Sequence, residues 1–140
     1  MATFNDFDIV SEDIMSAVHN FNAAGDTIIA YLTNNTPSAS ADAVLADLVG
    51  ITEQNGYAAT DIQNDLSRTG GTTSLTGVDI TITATGAVGP FRYVVLYNST
   101  TTVKTNPLIS YYDCGSAISL VNEEIFLINI GTSVLTGVFA

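Results

Sequence analysis

His19 and Cys114 are each the only residue of their kind in this 140-residue chain, so chemistry that needs an imidazole or a thiolate has a single address. A Ser-His-Asp triad would have to be built on His19. Cys114 would serve as a nucleophile only beside positive charge that stabilises its thiolate, and its neighbours Asp113 and Gly115 supply none, so it reads as a buried or unreactive thiol. One cysteine allows neither an intrachain disulfide nor a cysteine-rich zinc site. Carboxylates are more plentiful, in the near pairs Asp6/Asp8, Glu12/Asp13, Asp42/Asp47, Asp61/Asp65 and Glu123/Glu124. Glycoside hydrolysis needs two of them facing each other across a cleft, and the chain has no tryptophan to line one. No run of alternating oxygen ligands around a glycine with a late glutamate marks a calcium loop, although acidic turns leave room for an adventitious divalent ion. The glycines show no phosphate-cradling spacing followed by Lys-Ser/Thr. The expectation is a chain with no catalytic residues, no cofactor and no dedicated metal site.

Composition narrows the class further. The chain is 46% hydrophobic and only 12% charged, about half the charge of an average soluble domain. It is too apolar for intrinsic disorder. Arg68, Arg92 and Lys104 stand against fourteen acidic residues, for a net charge of −11. Three cations cannot build the basic stripe that neutralises a phosphate backbone, so neither nucleic acid nor an anionic membrane is expected as a partner. No apolar run approaches the ~18 residues of a membrane span. The first thirty residues are acidic, the opposite of a secretory signal. The chain therefore reads as a soluble protein of a reducing cytosol, in which the Asn34–Thr36 and Asn98–Thr100 sequons are chance matches.

The elements follow from hydrophobic period. Phe7, Val10, Ile14, Val18 and Phe21 recur every three or four residues and predict one N-terminal helix over about 8–22, capped by Asp8 or Ser11 and stopped by Asn22–Gly25, with His19 favourably near its negative end. From Asp26 the period becomes 2, with Ile28, Ala30 and Leu32 on one face of a strand. A helical turn is expected within Asp42–Leu48, a weak strand at Asp61–Ser67 and a flexible link or hairpin tip at Thr69–Thr72. Val78–Ala84 alternates as a strand with one wet face. Gly86–Pro90 turns the chain into Phe91–Tyr97, which is apolar on both faces and hence central. Four further short strands are expected at Leu108–Tyr112, Ile118–Val121, Ile125–Ile130 and Val134–Phe139, the first two separated at Cys114-Gly115. Seven or eight short strands after one helix predict a mainly β chain: an antiparallel β-sandwich or jelly-roll-like domain over 1–140, with the β-domain over about 26–140.

The segment Val88-Gly89-Pro90-Phe91-Arg92-Tyr93-Val94-Val95-Leu96-Tyr97-Asn98, followed by Asn106-Pro107-Leu108-Ile109 and Tyr111-Tyr112-Asp113, resembles small accessory virion proteins of tailed bacteriophages. So do Met1-Ala2-Thr3-Phe4-Asn5, His19-Asn20, Ala30–Asn34 and Asn55-Gly56-Tyr57. The resemblance implies a non-enzymatic structural protein, made in the host cytoplasm and carried on the particle. A head decoration (cement) protein on the outer surface, contacting the major capsid protein and copies of itself, fits an acidic, weakly charged surface. The alternative is a tail component (tube, tip or fibre base) with tail-protein partners. A glycan-binding or hydrolytic domain is a third reading, disfavoured by the missing tryptophan and the lone histidine. In the decoration role the N-terminal helix and strand ends are the expected contacts. The interface candidates are Phe4 and Phe7 at the helix entry, Tyr111 and Tyr112 on opposite strand faces, and Arg92, for which an internal carboxylate is the preferred partner.

Overall fold

The computed structural model describes residues 4–130 and 134–138. Strand makes up 43% and helix 8%, so the chain is mainly β. The strands, numbered in chain order, are β1 Asn5–Asp6, β2 Ile28–Thr33, β3 Thr60–Asp61, β4 Asp65–Thr69, β5 Thr72–Thr76, β6 Ile80–Thr83, β7 Val88–Asn98, β8 Leu108–Leu120, β9 Ile125–Ile128 and β10 Leu135–Val138. One α-helix, α1, spans Ile9–Met15. Among the described residues every strand pairing is antiparallel. Five strands form one sheet in the order β1-β8-β7-β2-β3, three form a second, β10-β5-β4, and β6 and β9 form a two-stranded third. No described helix is long and apolar enough to cross a membrane.

Two apolar clusters hold the sheets together. The larger joins Ile28, Ala30 and Leu32 of β2, Val94 and Leu96 of β7 and Ile109 of β8 to Leu75, Ile80, Ile82, Ile128 and Leu135 of the two smaller sheets. That is the interior of a β-sandwich-like domain. The smaller cluster, Phe7, Tyr31, Leu48, Tyr93, Val95 and Leu108, lies on the opposite face of the five-stranded sheet. β7 is therefore buried on both faces, as its unbroken apolar run predicts. β2 is largely buried on both faces too, with Tyr31 and Thr33 covered as well as Ile28, Ala30 and Leu32. Leu48, after a 3-10 turn at Leu45–Asp47, packs onto the Tyr31 side. The Asp47 carboxylate shapes the turn by accepting the Ala43 and Val44 N–H groups.

Three expectations need correction. The helix is half the predicted length because Ala17 takes a left-handed conformation with φ 59°. Its N–H donates to the Ile14 carbonyl while Val18 N–H reaches back to Asp13, the paired bonds of a Schellman stop. Val18 and Phe21 are still buried, but from irregular chain. At the other end Asp8 is the cap residue without a side-chain cap bond; Ser11 donates to the Asp8 carbonyl instead. Second, the two short strands expected around Cys114-Gly115 are one 13-residue strand, β8. Between the pairs Phe91↔Ile118 and Tyr93↔Asp113, β8 advances five residues while β7 advances two. The extra chain bulges out at Gly115, whose φ of 90° suits glycine. Third, Gly89-Pro90 lies inside β7, next to a register shift, and not in a turn before it. Of the two readings of Thr69–Thr72, the hairpin tip is the one observed. Phe139, the expected end of the last strand, lies outside the described residues.

Candidate functional site

Four of the five interface candidates meet across β1 and β8. β1 pairs Asn5 with Tyr111 and Asp6 with Ser110. Phe4 and Phe7 are an odd number of residues apart across this strand, and Tyr111 and Tyr112 are adjacent, so each pair splits between the two sheet faces. Phe4 lies 6.0 Å from Tyr112, against the larger cluster, and Phe7 lies 5.2 Å from Tyr111, in the smaller one. Phe4, Tyr111 and Tyr112 are half-buried. Phe7 is wholly enclosed, so its ring presents no area to a partner; burial against Tyr111 consumes it. Arg92 has the internal partner that was preferred for it. Its Nε and Nη2 donate to the two carboxylate oxygens of Asp113 at 2.8 and 3.1 Å, and its guanidinium lies 5.5 Å from the Tyr93 ring centre. These bonds, with the Gly115 N–H, hold the Asp113 carboxyl below the usual carboxylate range.

A more exposed surface was not among the candidates. β9 alternates Ile125 and Leu127 outward with Phe126 and Ile128 inward. Ile125 and Leu127 are 66% and 52% exposed, with Val121 and Val78 also exposed on the flanking chain. Across the ladder they face Thr83 and Thr81, so the outer face of β6–β9 is uncharged. Beside it a groove of about 340 Å³ runs between Phe4, Tyr112, Cys114 and Ile118 on one side and Phe126 and Leu127 on the other. The Cys114 thiol is pushed up by burial and by Asp113, which suppresses its thiolate. The sequence signal for this surface was the run Ile125-Phe126-Leu127-Ile128, apolar in both parities although only one parity is covered.

His19 lies beyond the helix end, so the expected dipole interaction is absent. Its ring stacks on Phe21 at 4.8 Å, and its Nδ1 lies 3.0 Å from Asn98 Nδ2. The Asn98 side-chain oxygen, Oδ1, accepts the Thr100 and Thr101 N–H groups, which orients its side-chain nitrogen toward His19 and Asp26. Nδ1 therefore accepts, the imidazole is neutral, and its buried Nε2 has no partner among the described residues. Burial lowers the His19 pKa. Asp13, buried near the helix end, has both oxygens 3.0 Å from Lys104 Nζ. Two of the three cations are thus spent on internal carboxylates. Among the described residues no three His, Cys, Asp or Glu side chains come together as a metal site. Comparison with family models, curated proteins and solved structures finds no match for the chain.

Proposed function

We infer that this chain is a non-enzymatic structural protein of a tailed-bacteriophage particle, a decoration (cement) protein on the outside of the head. It forms a homo-oligomer and stabilises contacts between major capsid subunits. The observation that carries the reading is the outer face of β6–β9, where Ile125 and Leu127 stand exposed beside threonines with no charge between them. An apolar strip on an otherwise acidic surface suits a protein contact, because burying it desolvates no ion. The high negative charge keeps the chain away from packaged DNA. The resemblance of the β7–β8 region to phage virion proteins supplies the identity of the assembly.

The test is the copy number of the chain in purified particles, measured by quantitative mass spectrometry, together with binding of the isolated protein to DNA-free heads. Stoichiometry comparable to that of the major capsid subunits, with binding to empty heads, is the expected result. A few copies, all on purified tails, would overturn it in favour of a tail component.

A further inference from the structure

The sandwich is open along one side. β8 pairs with β7 on one edge, and among the described residues β1 covers its other edge only at Ser110 and Tyr111. β9 pairs with β6 and with no second described strand. The groove of about 340 Å³ lies between these two edges, with Tyr112, Cys114 and Ile118 on the β8 side and Phe126, Leu127 and Ile128 on the β9 side.

The backbone of β9 is set for further pairing. Ala84 N–H donates to the Glu124 carbonyl. By the alternation of an antiparallel ladder, Phe126 and Ile128 then direct their N–H and C=O groups to β6, and Ile125 and Leu127 direct theirs to the open edge. Those outward groups have no partner among the described residues. Free edges are normally guarded by shortness, charge, proline or a bulge. β1 and β3 are two residues long, and β4 carries Asp65 and Arg68. The far edge of β6 is covered by Gly56, which packs against the Thr83 carbonyl too closely to admit a Cβ. β9 has neither charge nor proline, and its register with β6 runs without a bulge.

Charge identifies the strand that completes this edge. Glu123 and Glu124 precede β9, whereas Ile128, Asn129 and Ile130 at its other end are uncharged. An antiparallel partner free of repulsion presents an acid-free C-terminal end to Glu124, and β9 itself has one. Centred on Phe126, self-pairing sets Ile125 of each copy opposite Leu127 of the other, so every outward-facing residue of both strands is used. The two Glu124 residues then lie about 14 Å apart, from a strand rise of ~3.4 Å per residue, beyond the ~8 Å screening length of physiological salt.

We propose that two copies of this chain join about a two-fold axis by antiparallel pairing of their β9 edges, merging the two β6–β9 sheets into one. Ile125 and Leu127 of both copies then form a single strip on its outer face. This deepens the particle-coat reading and rests only on its homo-oligomer. Because the test uses the purified chain, it fails or succeeds separately from the copy number in particles. Sedimentation velocity at about 0.15 M salt shows a concentration-dependent dimer. Leu127→Pro removes an outward N–H while sparing the ladder to β6 and weakens dimerisation at least about tenfold, with amide spectra reporting the fold. Arg68→Glu, on the charged edge of β4, has no comparable effect. Register is read by cross-linking in a Cys114→Ser background. Oxidising a mixture of Ile125→Cys and Leu127→Cys chains gives mixed disulfide dimers, because the paired Cα atoms lie about 5.5 Å apart, and neither variant alone cross-links as well. This result also decides the case in which Leu127→Pro does not fold. A monomer at every concentration overturns the proposal, as does a folded Leu127→Pro variant that dimerises like the wild type. Loss of the dimer in Arg68→Glu, or cross-linking no better in the mixture than in the single variants, overturns it equally.

Discussion

The Asn98 carboxamide sets the protonation state of His19. Because its oxygen is held by the Thr100 and Thr101 N–H groups, its nitrogen faces the imidazole and requires Nδ1 to accept. Protonating the ring would set two donors against each other. Burial lowers the His19 pKa from 6.5, the Asp13 and Asp26 carboxylates pull it back, and Lys104 pushes it down again. A histidine with a lower pKa folded than unfolded binds more protons in the unfolded chain, so its contribution to stability is greatest above about 6.5 and falls as the pH drops toward the folded value. Acid also relieves the repulsion of a −11 chain, so the His19 effect must be isolated by comparison. In urea unfolding at about pH 7.5 and about pH 5.5, the wild type loses more stability on acidification than His19→Gln. Equal losses would show that His19 is not the titrating group. The Arg92–Asp113 pair is a lesser matter: both side chains are about 40% exposed, and solvent screens such pairs strongly.

At the scale of elements, the helix shows where periodicity and geometry part. Val10, Ile14, Val18 and Phe21 keep helical spacing, yet the helix stops at Met15 because Ala17 turns left-handed. Ala17 is exposed, and an alanine in that conformation pays a steric cost that glycine avoids. Ala17→Gly therefore stabilises the fold by about 0.5–1 kcal/mol in chemical denaturation. Were the helix to run to residue 22, the same change would destabilise it by about 1 kcal/mol, so the sign distinguishes the two geometries. β8 makes the complementary point: glycine signals a break, but long pairing with β7 absorbs it as a bulge.

For the whole molecule, charge and shape together govern association. Copies of a −11 chain repel one another, so in the proposed homo-oligomer the uncharged outer face of β6–β9 is the contact of least electrostatic cost. If that proposal holds, Leu127→Lys on this exposed strand changes stability by no more than about 0.5 kcal/mol but shifts sedimentation toward monomer, while added salt strengthens wild-type association. An unchanged sedimentation profile would move the contact elsewhere. Much of this architecture is legible in the residues themselves. The switch of period after Gly25, the double-faced run Phe91–Tyr97 and the excess of acid over base are local properties, so the sequence by itself determined the antiparallel β class, the central strand and the acidic surface. Which apolar side chains are left over is not local. Phe7 is enclosed because β1 adds to β8, whereas Ile125 and Leu127 stay exposed because they lie on the face of β9 turned away from the sandwich interior, which takes Ile128. Asn98 meets Asp26 across 72 residues of sequence and Lys104 meets Asp13 across 91. Periodicity states which residues favour burial, but only long-range strand pairing decides which of them achieve it and which polar groups meet. Tertiary structure alone therefore placed the exposed strip, the open strand edge beside it and the neutral histidine.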